Sequence, residues 1–91
     1  MSNSTKLYFF YSDWCQLCRL VQPRVDKLQE MFHETVDFEY SNIESDEETA
    51  KTYDIRSLPT LVLIQNGNIV WRKVGEFSEE ALTTVLTHFV D

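Results

Sequence analysis

The fold of this chain is decided by one stretch near its beginning, Leu7-Tyr8-Phe9-Phe10-Tyr11-Ser12-Asp13-Trp14-Cys15-Gln16-Leu17-Cys18. The stretch opens with an unbroken apolar and aromatic run, which is typical of a strand buried on both faces at the centre of a sheet. A segment with helical periodicity follows. The chain's two cysteines therefore lie at a strand-to-helix junction, a position in which a C-x-x-C pair indicates redox chemistry.

The two cysteines are predicted to have different roles. At the start of a helix, free backbone N–H groups and the helix dipole stabilise a thiolate on Cys15. Cys18 lies one turn further into the helix and should be more covered. We therefore expect Cys15 to be the nucleophile and Cys18 the resolving cysteine. Asp13 is expected to cap this helix or to lie in its first turn.

Length and composition predict a single domain, 1–91, with 43% hydrophobic residues to build a core. Two cysteines are too few for the disulfide framework of a small secreted domain. The net charge of −7 should repel phosphate backbones and anionic membranes, so we expect no nucleic-acid or membrane partner. No stretch resembles a signal peptide or reaches the roughly 20 apolar residues of a membrane helix, so we expect a cytoplasmic protein.

Two segments after the cysteines have helical patterns of different lengths. The first runs from Cys18 to Phe32 and contains Pro23, and its apolar face is expected to consist of Leu20, Val21, Val25, Leu28, Met31 and Phe32. The second is a short helix over 46–53, where Ser45 and Glu48 fit a capping box.

Strands are predicted over 6–12, 35–42, 60–64 and 69–74. Asn66-Gly67 predicts a type I′ hairpin between the last two, and a final helix opens at Ser78. The order is β-α-β-α-β-β-α. Two βα units predict parallel pairing through right-handed crossovers, and the hairpin adds an antiparallel edge. The predicted fold class is α/β, with a mixed four-stranded sheet and helices on both faces.

Several motifs in this sequence resemble those of the thioredoxin family. They are Trp14-Cys15-x-x-Cys18, Pro23, Asp54-Ile55-Arg56-Ser57-Leu58-Pro59-Thr60, Asn66-Gly67 and Val74-Gly75. Together they span nearly the whole chain and are specific, whereas a lone C-x-x-C is not. The resemblance implies a minimal thioredoxin-like fold and a thiol–disulfide oxidoreductase that exchanges its cysteine pair with protein disulfides through a mixed-disulfide intermediate.

The resemblance also implies a substrate-binding surface. It implies a cis peptide before Pro59, packed against the cysteine pair, and an extended substrate segment bound along the backbone of Leu58 and against Trp14, Pro59 and Gly75. It implies no cofactor, and recycling by a reductase or a low-molecular-weight thiol. We expect the protein to be a monomer.

The sequence departs from the family first at its N-terminus. Thioredoxins usually begin with an additional strand and helix, for which this chain has no room. The strand over 35–42 is therefore expected to form an exposed edge of the sheet, guarded against pairing with other chains by Asp37 and Glu39.

The other two departures concern the cysteine pair. Leu17 replaces the usual proline and should offer an N–H to the Cys15 sulfur. Phe9 replaces a buried carboxylate, and the loss of that negative charge favours the thiolate. The same loss removes a proton acceptor for Cys18. These changes predict a redox couple less reducing than that of thioredoxin.

Two other functions are compatible with a C-x-x-C pair. Two chains could hold zinc or an iron–sulfur cluster between their four thiolates, although the resemblance implies that Pro59 blocks metal at this site. The domain could also be a redox-inert adapter. The intact set of Trp14, Cys15, Cys18 and Pro59 argues against an adapter.

Overall fold

The computed structural model describes residues 4–90. Its strands and helices are β1 (Thr5–Tyr11), α1 (Gln16–Phe32), β2 (Asp37–Asn42), α2 (Glu47–Thr52), β3 (Thr60–Gln65), β4 (Asn68–Val74) and α3 (Glu79–Val90). The predicted β-α-β-α-β-β-α order is confirmed. The predicted element bounds agree with these to within a residue or two.

The sheet has the strand order β2-β1-β3-β4. β1 pairs in parallel with β2 and antiparallel with β3, and β3 pairs antiparallel with β4. The sheet is mixed, as predicted, but the expectation that both βα units give parallel pairs is wrong.

Helix length explains the direction of β3. The 17 residues of α1 extend about 25 Å at 1.5 Å per residue, which returns the chain along the full length of β1. β2 therefore begins at the same edge as β1. The 6 residues of α2 extend only about 9 Å. β3 therefore begins at the edge where β2 ended and runs back.

Both faces of the sheet are covered, as predicted. On one face, α1 and α3 pack against Leu7, Phe9, Leu61 and Leu63. On the other, the segment that carries α2 packs through Ile43, Tyr53 and Ile55 against a smaller core made of Phe10, Val62 and Ile64. Alternate residues of β1 and β3 thus fill two separate cores.

The buried stripe of α1 is narrower than expected. It consists of Cys18, Val21, Val25 and Leu28. Leu20 and Met31 are 55% and 59% exposed, so their predicted burial is wrong. At 3.6 residues per turn, both side chains project roughly 100° or more from the centre of the stripe.

Among the predictions for helix starts and turns, the one for the start of α2 is wrong and the one for the turn between β3 and β4 is confirmed. The capping box is wrong, because the N-cap of α2 is Asp46 with no side-chain cap bond and the Ser45 hydroxyl donates to a backbone carbonyl. Ser78 does cap α3, since its Oγ accepts the Ala81 N–H at 3.0 Å. The positive φ angles of Asn66 (52°) and Gly67 (85°) confirm the predicted hairpin turn.

β2 is an edge strand, as expected, and Tyr40 anchors it to α1. The Tyr40 hydroxyl donates to Asp26 Oδ1 at 2.5 Å, and its ring meets Phe9 edge-on with centroids 5.8 Å apart. Burial, followed by the hydrogen bond to the Asp26 carboxylate, raises the pKa of Tyr40.

Alkaline pH should therefore destabilise the protein partly through Tyr40. A tyrosine in the unfolded chain ionises near pH ~10. Because the folded pKa is higher, the stabilising contribution is complete below that pH and is lost as pH rises toward the folded pKa. In Tyr40→Phe, the free energy of unfolding should fall less between about pH 9 and 11. Urea denaturation at both pH values measures this difference, and equal losses in the two proteins would contradict it.

Candidate active site

The sheet register brings the predicted site residues to one edge. Tyr11 at the end of β1 lies opposite Asn42. The start of β3, Thr60, lies opposite both Phe10 of β1 and Val74 at the end of β4. The segments that continue from these positions are the cysteine loop 12–15, the Leu58-Pro59 pair and Gly75. Residues distant in sequence therefore leave the sheet at the same edge.

Cys15 and Cys18 form a disulfide across the first turn of α1, with Cα atoms 5.2 Å apart. Cys15 is the N-cap residue, and its Sγ accepts the Cys18 N–H at 3.1 Å. Cys15 is 6% exposed and Cys18 is 1% exposed. Cys18 is thus the more covered of the two, as its place in the helix predicted.

The expectation that Asp13 caps α1 or lies in its first turn is wrong. The cap is the Cys15 sulfur, and the first turn contains no acidic residue. Asp13 instead accepts two hydrogen bonds. Its carbonyl accepts one from the Arg19 guanidinium, and its Oδ1 accepts one from the Asn42 amide at 3.2 Å. Asp13 therefore ties the cysteine loop to both α1 and the end of β2.

The N–H on the Cys15 sulfur is not that of Leu17. It belongs to Cys18, and residue 18 offers it whether residue 17 is leucine or proline. In the disulfide form the donor to the Cys15 sulfur is thus Cys18, and a Leu17 N–H donated to a Cys15 thiolate stays a prediction. The argument from Phe9 also stays a prediction. This ring is 1% exposed within the main core, at the position where the family resemblance implies a carboxylate.

Two of the four predicted substrate-binding residues, Pro59 and Gly75, are joined by a backbone hydrogen bond. The Leu58–Pro59 peptide is cis, as the family resemblance implied, and the Pro59 carbonyl accepts the Gly75 N–H at 2.9 Å. Gly75 has φ +90°, a conformation that strains any residue with a Cβ. Leu58 is half-buried and packs against both cores.

Trp14 stands apart from that pair. Its side chain is 68% exposed, which agrees with a surface position beside the sulfur and excludes a core role. Within residues 4–90, no hydrogen bond or ring contact joins it to Pro59 or Gly75.

Sequence reasoning missed two residues at this edge. Arg24 Nη1 donates to Glu76 Oε2 at 3.1 Å and to the Phe77 carbonyl at 2.7 Å, which pins the loop after Gly75 to α1. The partners are more than fifty positions away, so no local pattern could have indicated the contact. Ser12, the first residue of the cysteine loop, is 2% exposed, and its carbonyl accepts the Cys15 N–H at 3.3 Å. Its only sequence signal was its position at the end of the strand.

Between residues 4 and 90, no group of three or more His, Cys, Asp or Glu side chains is placed to hold a metal ion. No helix in that range is long and apolar enough to cross a membrane. Nothing in the described residues thus supports the hypothesis that two chains share a metal ion or cluster between their cysteine pairs.

Comparison with known proteins gives a consistent result. Residues 1–88 match the family model described as Thioredoxin. Thioredoxin of Chlamydia pneumoniae is 37% identical over 87 residues, which cover 94% of this chain and 83% of that protein. Thioredoxin 2 of Plasmodium berghei is 34% identical over 90 residues, and the match covers 97% of this chain but only 57% of the longer protein.

The solved structures agree. A mutant thioredoxin from Halobacterium salinarum NRC-1 superposes with a TM-score of 0.89 at 30% identity, covering 98% of this chain and 77% of that one. The family match spans nearly the whole chain. The fold of this chain superposes on that of a thioredoxin, and its cysteine pair lies at the start of α1. The chain belongs to the thioredoxin family of thiol–disulfide oxidoreductases.

Proposed function

We propose that this protein exchanges its Cys15–Cys18 pair with disulfides of other proteins. The Cys15 thiolate attacks one sulfur of a substrate disulfide, forms a mixed disulfide and releases the other substrate sulfur as a thiolate, which takes up a proton. Cys18 then loses its proton and attacks the Cys15 sulfur. This step releases the reduced substrate and leaves the Cys15–Cys18 disulfide.

One observation carries the assignment of roles. Cys15 is the more exposed cysteine and caps the N-terminus of α1, where its sulfur accepts the Cys18 N–H. A negative charge on that sulfur is stabilised by this donor and by the helix dipole. Cys18 is almost fully buried. A substrate disulfide therefore reacts with Cys15, and Cys18 resolves the mixed disulfide that forms.

The substrate-binding surface is proposed to consist of Trp14, the Leu58 backbone, Pro59 and Gly75. A substrate segment in extended form would pair with the main chain at Leu58 in the manner of an added strand, which gives affinity with little demand on sequence. The proposal is supported by the exposure of Trp14 and by the contact between Pro59 and Gly75.

The acidic surface favours certain partners. With a net charge of −7, the chain should associate faster with substrates and recycling partners that present a basic face, and this advantage should weaken with salt. Recycling is proposed to use a reductase or a low-molecular-weight thiol. We also propose that residues 1–91 act as a single domain, as a monomer and in the cytoplasm.

The two cysteines should differ in a trapping experiment. Cys18→Ser should accumulate a mixed disulfide between Cys15 and a disulfide-bearing protein, because the resolving thiol is gone. Cys15→Ser should form none. Non-reducing electrophoresis after incubation with a disulfide-bonded substrate measures both. Equal trapping by the two variants would contradict the assigned roles.

The redox couple should be less reducing than thioredoxin's. Phe9 places hydrocarbon where the family has a buried carboxylate, so the thiolate meets less repulsion in the reduced form. We expect a potential above about −270 mV and below about −120 mV. Equilibration with defined glutathione mixtures, followed by alkylation and mass spectrometry, measures it. A value at or below that of thioredoxin would contradict the Phe9 argument.

Loss of the same carboxylate should slow resolution, since Cys18 lacks its usual proton acceptor. The mixed disulfide should therefore persist longer than in a thioredoxin that keeps the carboxylate. Rapid-quench kinetics with one substrate disulfide compares the two proteins. Equally fast resolution would show that another group accepts the Cys18 proton.

The loop that carries Gly75 should depend on Arg24. Removing its two hydrogen bonds in Arg24→Ala should cost about 1–2 kcal/mol of unfolding free energy, because the side chain is only 30% exposed and one acceptor is charged. Urea denaturation of the oxidised protein measures the loss.

The matched control for Arg24 is Arg56→Ala. Arg56 pairs with Asp54 at 3.0 Å, but the two side chains are 82% and 69% exposed. Such surface pairs contribute about 0–1 kcal/mol. If the two variants lost equal stability, the anchoring role of Arg24 would be disproved.

A further inference from the structure

The outer edge of β2 is open to an added strand. Along residues 38–41 the main chain pairs with β1, and no second strand lies beside it among residues 4–90. About half of the N–H and C=O groups of such a strand point away from the sheet and can bond to another chain. We call this row of main-chain donors and acceptors the β2 edge.

The β2 edge is acidic on both faces of the sheet. Glu39 is exposed and lies opposite Tyr8 in the register, on the face where Tyr8 packs against the smaller core. Tyr40 alternates to the other face, where its hydroxyl donates to Asp26 and where α1 also exposes Glu30. An added strand therefore meets carboxylates on both of its faces.

The carboxylates on the α1 side line a depression of about 480 Å³. Four side chains form it, those of Asp26, Gln29, Glu30 and His33. The Tyr40 hydroxyl bonds to Asp26 at 2.5 Å and to Gln29 at 3.4 Å, so the depression lies directly beside β2. Its volume is that of a small-ligand site, about 300–1,000 Å³, which leaves room for a lysine or arginine side chain between the two carboxylates.

A second copy of this chain is a poor occupant of the β2 edge. Antiparallel pairing of two β2 strands brings Glu39 and the flanking carboxylates against the same groups of the other copy, and like charges on adjacent strands are destabilising. β4 carries Arg72 and Lys73, but pairing of β2 with β4 of another copy is head-to-tail and need not close. The charges thus select against this chain and for a basic segment of another.

We propose that the β2 edge binds an extended segment of a partner protein rich in lysine or arginine, which pairs with β2 as an additional strand of the sheet. Main-chain hydrogen bonds fix the segment, and its basic side chains contact Glu39 on one face and Asp26 and Glu30 on the other. The inference goes beyond the proposed disulfide exchange and does not depend on it. β2 ends at Asn42, whose amide donates to Asp13, so a segment bound here lies near the cysteine loop.

The probe is a synthetic peptide of about eight residues, Lys-Lys-Val-Val-Lys-Lys-Val-Val, which carries lysine on both faces when it is extended. Isothermal titration calorimetry at low salt should detect binding, and Kd should rise with added salt. The same peptide with glutamate in place of lysine should not bind. A copy methylated on every backbone nitrogen keeps its charge but donates no main-chain bond, and it should bind about tenfold more weakly or worse. Equal binding of the methylated copy would overturn strand addition.

Charge reversals test the location of the binding site. Glu39→Lys and Glu30→Lys, one on each face of the β2 edge, should each raise Kd about fivefold. The matched control is Glu80→Lys, which makes the same change of total charge at an exposed position on α3 and should leave Kd within about twofold. Equal weakening by all three variants would show attraction to the net charge alone and would overturn the inference.

Hydrogen exchange of the wild-type protein gives a second readout that needs no variant. The peptide should slow amide exchange in residues 38–41 and leave the amides of β4 unchanged. Protection of β4 alone, or of neither strand, would contradict the proposal. A free chain that sediments as an oligomer with protected β2 amides would assign the β2 edge to a second copy and would contradict it as well.

Discussion

Pairing of β1 on both of its edges is the constraint on which the rest of the structure depends. β1 is hydrogen-bonded to β2 on one side and to β3 on the other, and its side chains fill the cores on both faces. Because β1 is paired on both edges and packed on both faces, it cannot shift its register without displacing its apolar side chains from the cores that they fill. The loop at its end, which carries Cys15, therefore starts from a rigid base.

That base is connected to its surroundings by hydrogen bonds between distant segments. Asp13 ties the cysteine loop to Arg19 and Asn42, and Ile43 N–H donates to the Tyr11 carbonyl at 2.9 Å. On the other side, the Pro59–Gly75 bond and the Arg24 contacts hold the opposing loops. Few of these bonds are strong alone. Together they set the distance between the sulfurs and the proposed substrate surface.

The region beneath the sulfurs differs from the family pattern in charge. Phe9 packs edge-on against Tyr40, so aromatic hydrocarbon occupies the place of a carboxylate. A core without that anion is expected to favour a thiolate on Cys15.

Features that depend on neighbours in the chain were predictable. The run from Leu7 to Tyr11 indicated a central strand, and Asn66-Gly67 indicated a hairpin, because burial period and turn geometry are local properties. The cis peptide before Pro59 was predictable only through the family resemblance, since cis bonds are about 5–6% of X–Pro bonds in general. Predictions from neighbouring residues alone were wrong at two positions. The Cys15 sulfur, and not Asp13, caps α1, and the apolar side chain of Leu20 is exposed.

The sequence by itself determined the order of the elements, the chemistry of the cysteine pair and the family, because spacing and composition record these directly. Only the tertiary structure decided the direction of β3, the anchoring of the Gly75 loop by Arg24 and the burial of Ser12. Each of these depends on where segments distant in sequence meet. Contacts between distant segments depend on helix length, sheet register and packing on both faces of the sheet. No single stretch of the chain specifies these contacts.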